Sequence, residues 1–267
     1  PTVFPATAMP TVMSPDNPSI GSTWFQSKDG MTLVYIPDGE FQMGTEDSSN
    51  DGFNEKPVHT VYLDAYWIDK TEVTNRMYSL CVSNGYCTTP NNTSSNTRQD
   101  YYNISSYQDY PVVYVNWHQA NQYCLWAGGR LPTEAEWEKA ARGTDARLFP
   151  WGDQYPMNSL ANVAPFVNDT TAVGSYPQGV SPYGVFDMAG NVYEWVFDWF
   201  GSDYYSNSLE NDPTGPSQSD HNPIWRSVKG GSWGWTGGIA TSGYHDGWGP
   251  DESGSGVGFR CVIDMAG

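Results

Sequence analysis

The chain has 267 residues, of which 38% are hydrophobic and 15% aromatic, with 28 Gly, 19 Pro and a net charge of −18. A core resting on Trp, Tyr and Phe, in so Gly- and Pro-rich a chain, excludes a helical bundle and points to one large or two small loop-rich domains. Thirty acidic against twelve basic residues exclude nucleic acid and anionic membranes as partners, since both need Lys/Arg patches. No apolar run approaches the roughly 20 residues that span a bilayer, so no membrane insertion by this segment is expected.

Residues 1–22 are rich in Pro, Thr and Ser and read as an extended linker. Together with the start at Pro1, this marks the chain as a piece on a stalk, so a missing targeting segment says little. The domain is expected over 23–267, undivided. Short strands are predicted at 32–36, 58–63 and 65–68. A helix follows at 75–82, with Thr74 as N-cap. A second starts at Asn116, where Gln119 completes a capping-box pair, and stops at Gly128-Gly129. A third starts at Thr133, with Glu136 at the capping-box position, carries Trp137, Ala140 and Ala141 on one face and ends at Gly143. Strands at 192–196, 226–229 and 257–262 complete an α+β fold of short, separated strands.

Four cysteines, Cys81, Cys87, Cys124 and Cys261, show neither C-x-x-C spacing nor a His at zinc-ligand distance. An even count without a metal pattern favours two disulfides and an oxidising compartment over four buried thiols. The stretch 228–261 stands apart from the rest. Its ends, Gly230-Gly231-Ser232-Trp233 and Gly258-Phe259-Arg260-Cys261, read as framework, and between them lie Gly, Ser, Thr, Trp, Tyr, His and Asp with hardly an aliphatic residue. Aromatics offer contact area at low entropic cost and small polar residues offer adaptable hydrogen bonds, the composition of a binding loop. A degenerate or purely structural loop is the alternative.

A series of motifs runs in order through the chain: Phe41-Gln42-Met43-Gly44, Lys70-Thr71-Glu72-Val73-Thr74-Asn75, Gly128-Gly129-Arg130-Leu131-Pro132-Thr133-Glu134-Ala135-Glu136-Trp137-Glu138, Asp187-Met188-Ala189-Gly190-Asn191-Val192-Tyr193-Glu194-Trp195, and the two framework ends. From about residue 30 to 264 this resembles the formylglycine-generating enzyme (sulfatase-modifying factor) family. The resemblance implies the formylglycine-generating-enzyme-like variant of the C-type lectin fold, with little regular secondary structure. The family's enzymes carry two copper-binding cysteines shortly after the Gly-Gly-Ser motif. The corresponding positions here lie near Trp235 and Ala240, and no cysteine occurs between Cys124 and Cys261. Without sulfur neither a thiolate nucleophile nor a thiolate copper site forms, so no copper and no oxidase activity are expected. Four scattered histidines (His59, His118, His221, His245) do not reproduce the His-rich motif of the related iron-dependent sulfoxide synthase.

The resemblance further implies structural calcium at two places, one at Asp187, Gly190, Val192 and Glu194, the other at Asn162, Val163, Asp169 and Thr171; capping of turns is the alternative role for these groups. Carboxylates and backbone carbonyls are the ligands calcium prefers. It also implies a Cys124–Cys261 bridge; Cys81–Cys87 would make a short one. Variable proteins of diversity-generating retroelements share this fold, their variable residues lying between a Gly-Gly-Ser-Trp start and a Gly-Phe-Arg end. The expectation is therefore a non-catalytic binding protein of this kind, extracellular or on a bacterial cell surface. It would hold a protein or cell-surface ligand at 233–256 through Trp233, Trp235, Thr236, Ile239, Thr241, Tyr244, His245, Asp246, Trp248, Asp251 and Ser253. The alternatives are a divergent oxidase with another metal arrangement, and a sensor or adhesion domain on a kinase or surface anchor.

Overall fold

The computed structural model describes residues 15–46, 55–221 and 224–265; residues 1–14, most of the expected linker, lie outside it. The described residues form ten short strands and three α-helices. One sheet holds β1 (Thr23–Phe25), β2 (Thr32–Ile36), β5 (Tyr66–Asp69) and β10 (Val262–Asp264) in that order, all neighbours antiparallel. A two-stranded ribbon pairs β3 (Gly39–Met43) with β4 (His59–Leu63). A third sheet has the order β8 (His245–Trp248), β7 (Arg226–Lys229), β6 (Tyr193–Trp199), β9 (Val257–Phe259), and only β6 and β9 run parallel.

The helix boundaries follow the predicted caps. In α1 (Asn75–Ser83) the Thr74 hydroxyl accepts from the Met77 amide. Both α2 (Trp117–Ala127) and α3 (Glu134–Arg142) open on reciprocal capping boxes, Asn116 with Gln119 and Thr133 with Glu136. Gly128 closes α2 in the left-handed region, at φ 103°. Strands β2 and β7 match their predicted ranges; the predicted strand 257–262 is two strands. The chain leaves β9 at Arg260-Cys261 and crosses into the first sheet as β10, with Arg260 and Cys261 both buried at the crossing.

Two apolar clusters make the core. One gathers α1, α2 and the third sheet around Tyr78, Tyr123, Trp195 and Phe259; the other packs α3 through Trp137 and Ala140 against Ile68, Phe41, Val61 and Val196. Contrary to the single buried face expected, every residue of α3 is buried, its charged side chains included. Buried charge persists only when it is paired. Arg130 forks onto Glu136, Arg142 meets Glu138 at 2.8 Å, and Lys229, from β7, reaches Glu138 at 3.1 Å.

Disulfides join Cys81 to Cys87 and Cys124 to Cys261. The second ties α2 to the crossing between β9 and β10.

Candidate functional site: the 233–256 surface and its buried supports

Gly230 and Gly231 both take positive φ (86° and 70°), which turns the chain out of β7; a Cβ on Gly231 would lie 2.8 Å from the Ile239 carbonyl oxygen. The loop that follows is held by its main chain. The Trp233 amide donates to Asn191 O, the Trp235 amide to Ser232 O, the Ile239 amide to Thr236 O and the Ser242 amide to Leu148 O, while Trp235 O accepts from the Ala164 amide. Trp235 is 56% exposed, Thr236 and Asp251 are exposed, and Trp233, Ile239 and Ser253 are half-buried. The Trp233 indole donates to Ser255 O, Ile239 leans on the core, and the Ser253 hydroxyl accepts from Asn91.

Strand β8 divides the rest by its two-residue period. Tyr244, Asp246 and Trp248 share one face and stay half-exposed above the core, Trp248 edge-on to Trp195 at 6.4 Å. His245 and Gly247 face the other way. His245 is buried, with its ring between Phe200 and Tyr205 and its Nδ1 2.5 Å from Glu134. Thr241 is buried as well, its hydroxyl accepting from the Tyr244 amide. These two residues were expected to touch ligand; His245 by its inward side on β8 and Thr241 by burial within the loop lie under the surface instead.

Beneath the loop lies a charge network. Lys229 pairs with His245 across β7 and β8, and its ammonium donates to Glu138 and to Gly243 O at 2.8 Å. Tyr205 donates to Glu134 at 2.7 Å. Burial alone would raise the Glu134 carboxyl, but the His245 charge and hydrogen bond, with Lys229, bring it down to about 2. His245 is raised: burial opposes its charge, and Glu134 outweighs that. Glu55 is pushed up by burial to about 7, although the charges of Lys229, His245 and Arg142 oppose the rise.

The four cysteines are all consumed in disulfides, which leaves no thiol for a nucleophile or a copper ligand.

At the first place expected to hold calcium, Glu194 is already engaged. Arg260 donates to both its oxygens, at 2.6 and 2.7 Å, and the Trp137 indole donates at 2.8 Å. The sequence reading overlooked Glu72, which is fully buried beside Asp187. Its Oε1 accepts from Asn191 while its Oε2 has no partner. Asp187 sits at φ 56° and accepts from the Gly174 amide. Burial pushes both carboxyls above their ordinary range, and for Glu72 the adjacent Asp187 charge adds to it. Glu72, Asp187 and Glu194 gather around one guanidinium, Arg260. The unpartnered buried Glu72 Oε2 beside Asp187 is the feature that suits a divalent, oxygen-loving cation. Glu72 was detectable, since it stands in one of the quoted motifs.

At the second place one buried oxygen, Asn162 Oδ1, has no partner, but the carboxylate and the other oxygens are already engaged. The Asp169 Oδ2 accepts from the Ser95 and Thr97 hydroxyls and the Thr97 amide, and its Oδ1 accepts from the Thr170 amide and faces Arg98 at 3.3 Å. Val163 O is taken by the Phe166 amide. The Thr171 amide and hydroxyl donate to Asn191, and Asn162 spends its amide on Asp169 O and Asn191. Burial would raise the Asp169 carboxyl, but the hydrogen bonds from Thr97, Ser95 and Thr170 hold it below its ordinary range. Among the described residues no group of three or more His, Cys, Asp or Glu side chains surrounds a metal-sized space.

A cavity of about 650 Å³ lined by Tyr62, Tyr66, Arg130, Phe197 and Asp212 includes no residue of 228–261. No described helix is long and apolar enough to cross a membrane.

A mixed α/β domain of short strands, carrying an irregular loop between a Gly-Gly-Ser turn and a Gly-Phe-Arg strand, defines the formylglycine-generating-enzyme-like variant of the C-type lectin fold. The chain belongs to the sulfatase-modifying factor enzyme 1-like domain family, whose model matches residues 23–265. It is 37% identical over 224 residues to the serine/threonine-protein kinase pkn1 of Chlamydia caviae, covering 75% of this chain and 33% of the kinase. It thus spans about a third of the length of the kinases it matches. It is 33% identical over 292 residues to the formylglycine-generating enzyme of Streptomyces coelicolor, covering 86% of this chain and 88% of the enzyme. Among solved structures, PvdO from Pseudomonas aeruginosa superposes with a TM-score of 0.77 at 26% identity, covering 92% of this chain and 99% of that one. Treponema denticola variable protein 1 superposes at 0.69 and 23%, covering 91% and 98%, a likeness of fold.

Proposed function

We propose that this domain is a non-catalytic binding module, the diversified variable protein of a retroelement, that presents its ligand surface between residues 233 and 256. The contact residues are Trp233, Trp235, Thr236, Ile239, Tyr244, Asp246, Trp248, Asp251 and Ser253, with His245 and Thr241 as supports beneath. The observation that carries this is the division of labour in the loop: its order comes from backbone hydrogen bonds, while Trp235 and Thr236 project outward. Main-chain bonds do not depend on side-chain identity, so such positions accept substitution without loss of fold. The ligand is a protein or cell-surface molecule, and the two disulfides suit an extracellular or cell-surface setting.

Sequencing the gene and its flanks from many isolates tests this reading. Differences should concentrate in codons for the outward residues, next to a reverse-transcriptase gene and a near-copy repeat. An invariant 233–256 segment without these neighbours sinks it. A copper-dependent oxidation assay on a cysteine-containing peptide addresses the divergent oxidase, and turnover above background overturns the non-catalytic reading.

Calcium belongs to this proposal at one place only, held by Glu72 and Asp187 with the carbonyls of Gly190 and Val192. A chelator should lower the melting temperature of the native chain and leave Asp187→Asn unmoved; equal melting with and without chelator removes the ion.

The kinase relative supports a second reading, in which the same surface serves as the sensor or adhesion part of a longer protein. The full-length gene distinguishes the two readings.

A further inference from the structure

We infer that Arg98 is a built-in cation that replaces a metal at the 162–171 loop, closing that place to calcium. Asp169 is its sole acidic ligand candidate and is 1% exposed. Around its carboxylate stand three hydroxyls, two backbone amides and the Arg98 guanidinium. Calcium takes six to eight oxygens as ligands, roughly, and an oxygen already facing that many hydrogens is a poor one. Arg98 is itself fixed from the other side. Its guanidinium lies 5.1 Å from the Tyr107 ring and 5.2 Å from the Tyr110 ring, and it donates to the Thr170 hydroxyl. A planar cation stacked on two aromatic faces is held without an anionic partner of its own to spare, so its charge goes to Asp169. The segment 93–98 supplies Ser95, Thr97 and Arg98 together, so one stretch of chain brings both the hydrogen-bond cage and the counter-charge. The loop 162–171 borders the binding loop through the Ala164–Trp235 hydrogen bond, and it would stay ordered whatever the calcium concentration.

The two cation places make opposite predictions, and variants separate them. Calcium titration with direct metal analysis should find no more than one equivalent in the native chain and none in Asp187→Asn. A second equivalent in the native chain, or one retained in Asp187→Asn, overturns the inference. If the native chain binds none, the Glu72–Asp187 reading fails while this one stands on the melting data. Arg98→Gln should lose roughly 5–15 °C in melting temperature in chelator, because it leaves a buried carboxylate uncompensated. The double variant Arg98→Gln/Asp169→Asn should recover much of that loss. A single variant that melts like the native chain, or a double variant no better than the single one, overturns the role of Arg98 as counter-charge. An Arg98→Gln variant that fails to fold is judged by the same double variant.

Discussion

Removing the Cys124–Cys261 bridge should cost far more than removing Cys81–Cys87, and chain geometry sets the ratio. The bridges close loops with sequence separations of 137 and 6. The chain-entropy relation, which grows with the logarithm of loop length, assigns about 5 kcal/mol to the first and about 2 kcal/mol to the second. At about 2–4 °C per kcal/mol for a domain near this size, these translate into losses of roughly 10–20 °C and 4–8 °C. The long bridge has a second effect, because it anchors the point where the chain passes from β9 to β10 and so couples two sheets to α2. Its loss should therefore raise the unfolding rate as well. The assay is calorimetric melting of Cys124→Ala/Cys261→Ala and Cys81→Ala/Cys87→Ala beside the native protein, all without reductant. If the short bridge proves the more costly, or the two variants melt together, loop entropy is not what these disulfides contribute.

Three further outcomes are expected. Lys229→Met should cost about 1.5–3 kcal/mol, since it removes one charged hydrogen bond from Glu138, which keeps Arg142, while Glu134 keeps His245; Glu138→Gln in the same chain should return part of it, and denaturant titration measures both. Trp235→Ala and Thr236→Ala should each stay within about 0.5 kcal/mol of the native chain in the same titration, as substitutions of exposed side chains usually do; a large loss would mean these residues hold the loop. The third concerns pH. Glu55, raised from 4.5 to about 7, favours the fold while protonated, so its contribution is whole below pH 4.5 and fades as pH climbs through 7. His245, raised from 6.5, has the same sign: its pairing with Glu134 holds below that pH and weakens above its folded value. Stability should thus fall between pH 5 and 8, and Glu55→Gln should flatten the curve by roughly 1–3 kcal/mol. A Glu55→Gln curve parallel to the native one refutes the assignment.

Local signals were legible in proportion to how local their causes are. Thr74, Asn116–Gln119 and Thr133–Glu136 announce helix starts because a cap is satisfied within three residues. Strand β8 escaped notice because His-Asp-Gly-Trp holds Asp and Gly, both depleted in strands, and owes its conformation to pairing with β7. The burial of the α3 charges was not legible because their partners are remote: Lys229 lies 91 residues from Glu138. Within the candidate site, composition singled out a stretch but not which of its residues face out. That depended on the register of β8, which sends Tyr244, Asp246 and Trp248 one way and His245 the other. Glu72 and Arg98 were missed for the same reason as Lys229, since each acts on a carboxylate far along the chain.

On the proposed reading, the register also accounts for how this fold would present a variable surface. Lys229 and His245, paired across β7 and β8, flank the first part of the loop, residues 230–244, and both point down onto α3, where Glu138 and Glu134 receive them. The loop's exit and return are thereby fixed by buried charges that no exposed residue touches. Between them, Gly230 and Gly231 make the turn, main-chain bonds to Asn191, Leu148 and Ala164 set the path, and the Trp235 and Thr236 side chains project outward. With these flanking charges kept, changing the outward residues alters what is recognised. With Lys229 or His245 changed, the same loop loses its fixed ends. Binding that survives Lys229→Met unaltered would show that the flanking charges are dispensable and that the loop orders itself.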